Sequence, residues 1–89
     1  MDEFSEYLKN HNLAVSIATD AYARAEKSGN EGAMKIVLDS LYDIEFSFYE
    51  VLVHLKNTCD PNPKIHRSLG DIITLQTKRL NIILELSSV

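Results

Sequence analysis

A glutamate and a histidine share one polar face of the predicted second helix, and side chains of these types could bind a metal ion. Glu50 and His54 are four residues apart, so they lie one above the other on a helix. Folding the chain about residues 28–32 brings His11 to a similar height. Helical bundles that bind di-iron centres pair Glu-x-x-His motifs on two helices, whereas here the spacing differs and a second motif is missing. A solvated acidic face is the favoured interpretation, and we expect no cofactor.

His54 can also be compared with the active histidine of histidine phosphotransfer domains, which are helical bundles with that histidine on an exposed face. Their pattern, His-x-x-Lys-Gly, places a lysine on the same face one turn later. In this chain Lys56 follows His54 by two residues and no glycine comes next, so the lysine is turned about 200° away. A metal-binding or phosphorelay bundle that uses His54, Glu50 and His11 is therefore the alternative function.

Three polar residues interrupt helix faces that are otherwise apolar. Gln76 and Arg79 lie in the middle of the third helix's apolar arc, and Glu45 lies at the edge of the second helix's arc. Antiparallel packing of these helices brings Gln76 level with Glu45, and Arg79 about one turn away. We predict an Arg79–Glu45 pair, completed by Gln76, that sets the register of the helices. The alternative is an arginine that lays its stem on the core edge and reaches solvent.

The sequence lacks the motifs of common enzyme classes. It contains no Gly-x-Ser-x-Gly, no glycine-rich phosphate loop and no His-Glu-x-x-His. Cys59 is the single cysteine, so it cannot form a disulfide within the chain. We therefore expect no catalytic residue and no enzymatic activity.

Length and charge exclude several other classes of protein. The 89 residues are 45% hydrophobic, and nine Lys and Arg stand against thirteen Asp and Glu, for a net charge of −4. One domain of this size is ordinary, and its acidity argues against binding nucleic acid or an anionic membrane. No apolar stretch reaches the roughly 20 residues of a membrane span, and the acidic start is unlike a signal peptide. We expect a cytoplasmic protein.

Two breaks divide the chain into three segments with helical periodicity. Gly29 suits the left-handed residue after a helix end, and Asn30 suits the cap of the next helix. Asn62 and Pro63 read as a cap followed by the first helical residue. We predict helices at about 2–28, 31–58 and 63–87 within one domain, 1–89. Short connections favour antiparallel neighbours, so the predicted fold is an all-α, up-down-up three-helix bundle.

Apolar residues are distributed unevenly among the helices. The first helix carries small residues at spacings of four, three and four, namely Ala14, Ala18, Ala21 and Ala25, which allow a close neighbour. The second and third helices are apolar over more than the single stripe that a three-helix bundle buries. The surplus predicts a homodimer, forming a larger bundle, or a groove for a partner helix, built on Tyr42, Phe46, Tyr49, Val53, Ile73, Leu80 and Leu84. The alternative is a splayed bundle in which these residues close onto the first helix.

These features together predict a non-enzymatic protein-interaction module. It would act as a small acidic regulator, chaperone-like partner or inhibitor that presents a hydrophobic helical surface. Its partners would be a second copy of itself and another protein or helix. The anchors expected at this surface are Tyr42, Phe46 and Tyr49, because aromatic residues dominate interface hot spots.

Overall fold

A computed structural model describes residues 3–58 and 63–88, which form three helices. They are α1 (Glu3–Lys27), α2 (Glu31–Thr58) and α3 (Pro63–Ser87), and no strand occurs within those ranges. The ends lie within one residue of the bounds expected from periodicity. Asn62, the expected cap of α3, and Cys59 fall outside the described residues.

The connection between α1 and α2 is a helix stop followed directly by a helix start. Gly29 adopts a φ of 69°, the left-handed region that glycine enters without steric cost. Its N–H donates to the Glu26 carbonyl at 3.1 Å, and the Asn30 N–H donates to the Ala25 carbonyl at 2.9 Å, which is the bond pair of a Schellman motif. Asn30 Oδ1 then accepts from the Ala33 N–H at 3.0 Å. The expected roles of Gly29 and Asn30 are confirmed.

Helix α2 is the central element of the fold. It packs against α1 and against α3, whereas no Cα of α1 comes within 8 Å of one in α3 among the residues described. The Cα trace measures 49 × 29 × 14 Å, and the two short dimensions differ twofold. A triangular bundle with helices about 8–10 Å apart would have similar short dimensions. The three helices therefore form an open, flattened bundle.

The buried residues lie along the lines where α2 meets its neighbours. On α2 they recur at seven-residue spacing, Leu38, Glu45 and Leu52, so they share one face. Helix α1 contributes Ala18 and Ala25, whose small side chains allow α1 to approach α2 closely. The open shape means that each outer helix has only one neighbour, which leaves much of its circumference in solvent.

Ala18→Leu is expected to lower the free energy of unfolding by about 1–3 kcal/mol, because a larger side chain overpacks a buried contact. Ala23→Leu is the matched control, since Ala23 is exposed on the same helix and surface changes usually stay within about 0.5 kcal/mol. Urea unfolding followed by circular dichroism measures both. Equal effects from the two substitutions would contradict close packing at Ala18.

Candidate functional site

Side chains from all three helices meet at Glu45. The Glu45 side chain is only 3% exposed, and its Oε1 lies 3.0 Å from Nε2 of His11 on α1. Its Oε2 lies 3.7 Å from Nη1 of Arg79 on α3. Gln76 Nε2, also from α3, donates to the Glu45 backbone carbonyl at 2.8 Å. We call His11, Glu45, Gln76 and Arg79 the Glu45 cluster.

The contact between His11 and Glu45 is the most deeply buried part of the cluster. Within the described residues, no group donates a well-formed hydrogen bond to Glu45 Oε1, although the His11 contact is within ion-pair distance. This buried oxygen therefore depends on His11 to offset the loss of its water shell.

Aromatic rings cover the His11 side of the cluster. The His11 ring stacks on Phe48 with centroids 4.3 Å apart, and Tyr7 stacks on both rings at 6.4 Å. Burial raises the pKa of the Tyr7 phenol above its usual value of 10.0, because a charged phenolate would be poorly hydrated there. The rings of Phe48 and Tyr7 thus pack beside the buried His11–Glu45 contact.

Arg79 behaves differently from His11. Its side chain is 64% exposed while it lies 3.7 Å from Glu45, so solvent screens most of the attraction. The expected contact between Arg79 and Glu45 is thus present, and the arginine also reaches solvent as the alternative interpretation has it. The register role of Glu45, Gln76 and Arg79 stays a prediction.

Sequence reasoning did not pair His11 with Glu45. The predicted fold placed His11 at a similar height along the bundle to Glu50 and His54. Height alone does not distinguish these two residues from Glu45 as partners of His11. The side of the helix does separate them: Glu50 and His54 are turned about 140° and 180° from Glu45 around α2. Both are exposed, whereas His11 is buried. The position of His11 on an apolar stripe was the signal that it faces inward.

The structure therefore does not bring His11 together with Glu50 and His54. In the part of the chain that the structure describes, no group of three or more His, Cys, Asp or Glu side chains is arranged to hold a metal ion. The imidazole of His11 is directed at the Glu45 carboxylate instead.

The residues predicted to form the interface differ in how far they reach solvent. Tyr42 stacks on Phe46 with centroids 5.8 Å apart, and the Tyr49 ring lies tilted beside Phe46 with centroids 6.0 Å apart. Phe46 and Leu84 are 39% and 49% exposed, whereas Leu80 is buried. The other four are half-buried: Tyr42, Tyr49, Val53 and Ile73. Leu80 belongs to the core, so it is not accessible to a partner in this structure.

A different set of α3 residues forms a longer exposed apolar row. Its members are between 41% and 60% exposed: Ile65, Ile72, Leu75, Ile82 and Leu86. Together with the polar residues Ser68 and Arg79, they occupy positions spaced alternately three and four residues apart, the spacing of a coiled-coil seam. Arg79 lies in the same row, between Leu75 and Ile82. We call this row the α3 stripe. The sequence shows that α3 has two apolar faces but not which one packs on α2.

A cavity of about 560 Å³ opens where one end of each helix converges. Its volume falls in the range of small-molecule pockets, roughly 300–1,000 Å³. Leu38 and Leu86 form apolar wall, and Glu31 and Lys35 supply opposite charges. The remaining lining residues are Tyr22, Gly32, Met34 and Ser87.

No family model matches this chain, and neither a curated protein nor a solved structure matches it. None of the helices over residues 3–58 and 63–88 has an apolar stretch long enough to cross a membrane.

His11→Ala is expected to lower the free energy of unfolding by about 3–5 kcal/mol, because it removes the buried partner of Glu45 Oε1 and leaves the buried carboxylate with the largely exposed Arg79 beside it. His54→Ala is the matched control, since His54 is exposed on α2 and its loss should cost no more than about 0.5 kcal/mol. Urea titration of both variants gives the comparison. A His11→Ala protein as stable as the control would mean that the cluster does not hold α1 on α2.

Arg79→Leu is expected to change the oligomeric mass, because Arg79 occupies the α3 stripe. It should lower the free energy of unfolding by no more than about 1 kcal/mol, because the arginine is largely exposed and solvent screens its attraction to Glu45. Light scattering and urea unfolding measure the two effects, with the exposed Arg67 as control in Arg67→Leu. Unchanged mass together with unchanged stability would end the register hypothesis.

Proposed function

We propose that this chain is a non-enzymatic protein-interaction module that works as a homodimer. The α3 stripe is the observation that carries the proposal. Soluble monomers rarely expose large contiguous apolar surfaces, and those that do usually use them for binding. Five aliphatic side chains along one helix face, each at least 41% exposed, form an apolar row that Ser68 and Arg79 interrupt, and this row is the surface that we propose for binding.

A helix is the partner that this surface fits best. Residues at alternating three- and four-residue spacing pack as knobs into the holes of a facing helix. The open bundle supports this, because among the described residues α3 packs against α2 and not against α1, so its second apolar face can take another helix. A second copy of the chain supplies that helix at once, and the dimer then forms a larger bundle.

We infer an up-down-up order of the helices within each copy. Tyr7, early in α1, stacks on Phe48 in the second half of α2, while Tyr22, late in α1, lines one cavity with Leu38 in the first half of α2. Helix α3 follows the same rule, since its late residue Leu86 lines that cavity too. These contacts support antiparallel neighbours.

We propose no catalytic role for the Glu45 cluster, because of how its side chains are arranged. Its carboxylate and imidazole are buried against each other, and aromatic rings cover them, so they hold helices together.

The module would act as a regulator, chaperone-like partner or inhibitor, by presenting the α3 stripe to a partner or by covering it in the dimer. A cytoplasmic setting suits a chain whose single cysteine, Cys59, cannot form an internal disulfide.

Light scattering of the unaltered chain is expected to give twice the 10.1 kDa chain mass. Ile82→Asp should return the mass toward one chain, because it buries a charge in the stripe contact. Asn81→Asp is the matched control, since Asn81 is the exposed neighbour of Ile82 outside the stripe, and it should leave the mass unchanged.

Phe46→Asp separates the stripe from the surface first expected around Tyr42, Phe46 and Tyr49. If that surface forms the dimer, Phe46→Asp reduces the mass and Ile82→Asp does not. Circular dichroism checks that each variant keeps its helices. A monomeric unaltered chain, with neither substitution changing its behaviour, would defeat the proposed function.

A further inference from the structure

A line of alternating charge borders the α3 stripe. Lys64, Asp71, Lys78 and Glu85 are seven residues apart, so they follow one another along nearly the same side of the helix. Each immediately precedes a stripe position, and all four are exposed. The charges read positive, negative, positive, negative from the start of α3 to its end.

We propose that two copies of this chain pair α3 against α3 in antiparallel orientation, about a two-fold axis near residues 73 and 74. This inference rests on the proposed homodimer. The charge line becomes complementary to itself when it is reversed, so Asp71 meets Lys78 of the partner subunit and Lys64 meets Glu85 of the partner subunit. Each pair forms twice because of the two-fold symmetry.

Only the antiparallel orientation brings these charges together. In a parallel pair the charge line would face the residues that follow the other seam position, which are Leu69, Gln76 and Ile83. Those residues are buried or half-buried in the fold, and none carries a charge. In an antiparallel pair the two charge lines face each other.

The same register also suits the apolar stripe. It sets Ile72 opposite Leu75 of the partner subunit and Ile65 opposite Ile82 of the partner subunit. Arg79, the one charged residue of the stripe, then faces Ser68 of the partner subunit, a hydroxyl rather than an aliphatic side chain. The polar residues of the seam thus meet each other, and four of the five aliphatic residues of the stripe, Ile65, Ile72, Leu75 and Ile82, meet each other.

Neighbouring registers are unfavourable. A shift by one heptad in one direction sets Lys78 against Lys78 of the partner subunit and Asp71 against Glu85 of the partner subunit. A shift in the other direction sets Asp71 against Asp71 of the partner subunit and Lys64 against Lys78 of the partner subunit. Like charges would face each other in both cases, so the charge line selects a single register, as flanking charges do in coiled coils.

The central pair provides the test, on the full chain at low salt. Lys78→Glu alone and Asp71→Lys alone each set like charges together twice, so each variant should self-associate more weakly by roughly tenfold or more. An equimolar mixture of the two single variants restores both attractive pairs in a heterodimer and should recover the affinity of the unaltered chain. Sedimentation equilibrium measures these dissociation constants, and circular dichroism confirms that each variant is folded.

Arg67→Glu is the matched control, because Arg67 is exposed on α3 outside the charge line, and it should leave the dissociation constant unchanged. A dimeric chain whose two single variants dimerise normally, or whose mixture fails to recover, would overturn the antiparallel α3 pairing while the proposed function stands. A monomeric unaltered chain would overturn both.

Discussion

The fold depends on a carboxylate buried in its central helix. Glu45 cannot lose its water shell without groups that replace it, and α2 alone supplies none in the cluster. His11 of α1 and Arg79 of α3 face the carboxylate, and Gln76 of α3 donates to the backbone carbonyl of the same residue. The same residue therefore ties both outer helices to the middle one. A register shift of one residue along either outer helix would bring the neighbouring position to Glu45 and leave the polar side chain about 100° away around that helix.

Arg79 connects this internal constraint to the outside of the molecule. Arg79 lies 3.7 Å from the buried Glu45 carboxylate although its own side chain is 64% exposed, and it occupies a position of the α3 stripe, so it links the buried cluster to the proposed interface. Among the described residues, α1 does not pack against α3, so within one chain it leaves that side of α3 exposed to water. The separation of α1 from α3 thus leaves the apolar surplus accessible.

The helices were predictable from sequence because helical periodicity and stop signals are local. Gly29 ends α1 through a backbone conformation that its own residue type favours, and Pro63 begins α3 for a comparable reason. The partner of His11 was not predictable, since it depends on the rotation of α1 against α2. Which face of α3 is exposed was not predictable either. Leu80 and Leu75 are both apolar, and only the direction of packing makes Leu80 buried and Leu75 exposed.

A buried polar pair is weak support for stability, because well-packed apolar residues of similar volume often do as well or better. In the Glu45 cluster, the buried pair is better explained by the alignment that it favours between the helices than by the stability that it adds. Apolar helices with wide faces can slide past one another at little cost, whereas Glu45 contacts His11 and Arg79 only where these side chains lie beside it. If the cluster sets the register, as predicted, it would also decide which side of α3 is turned outward. The charge line beside the stripe would extend the same logic to a second copy, since it too is matched in one register.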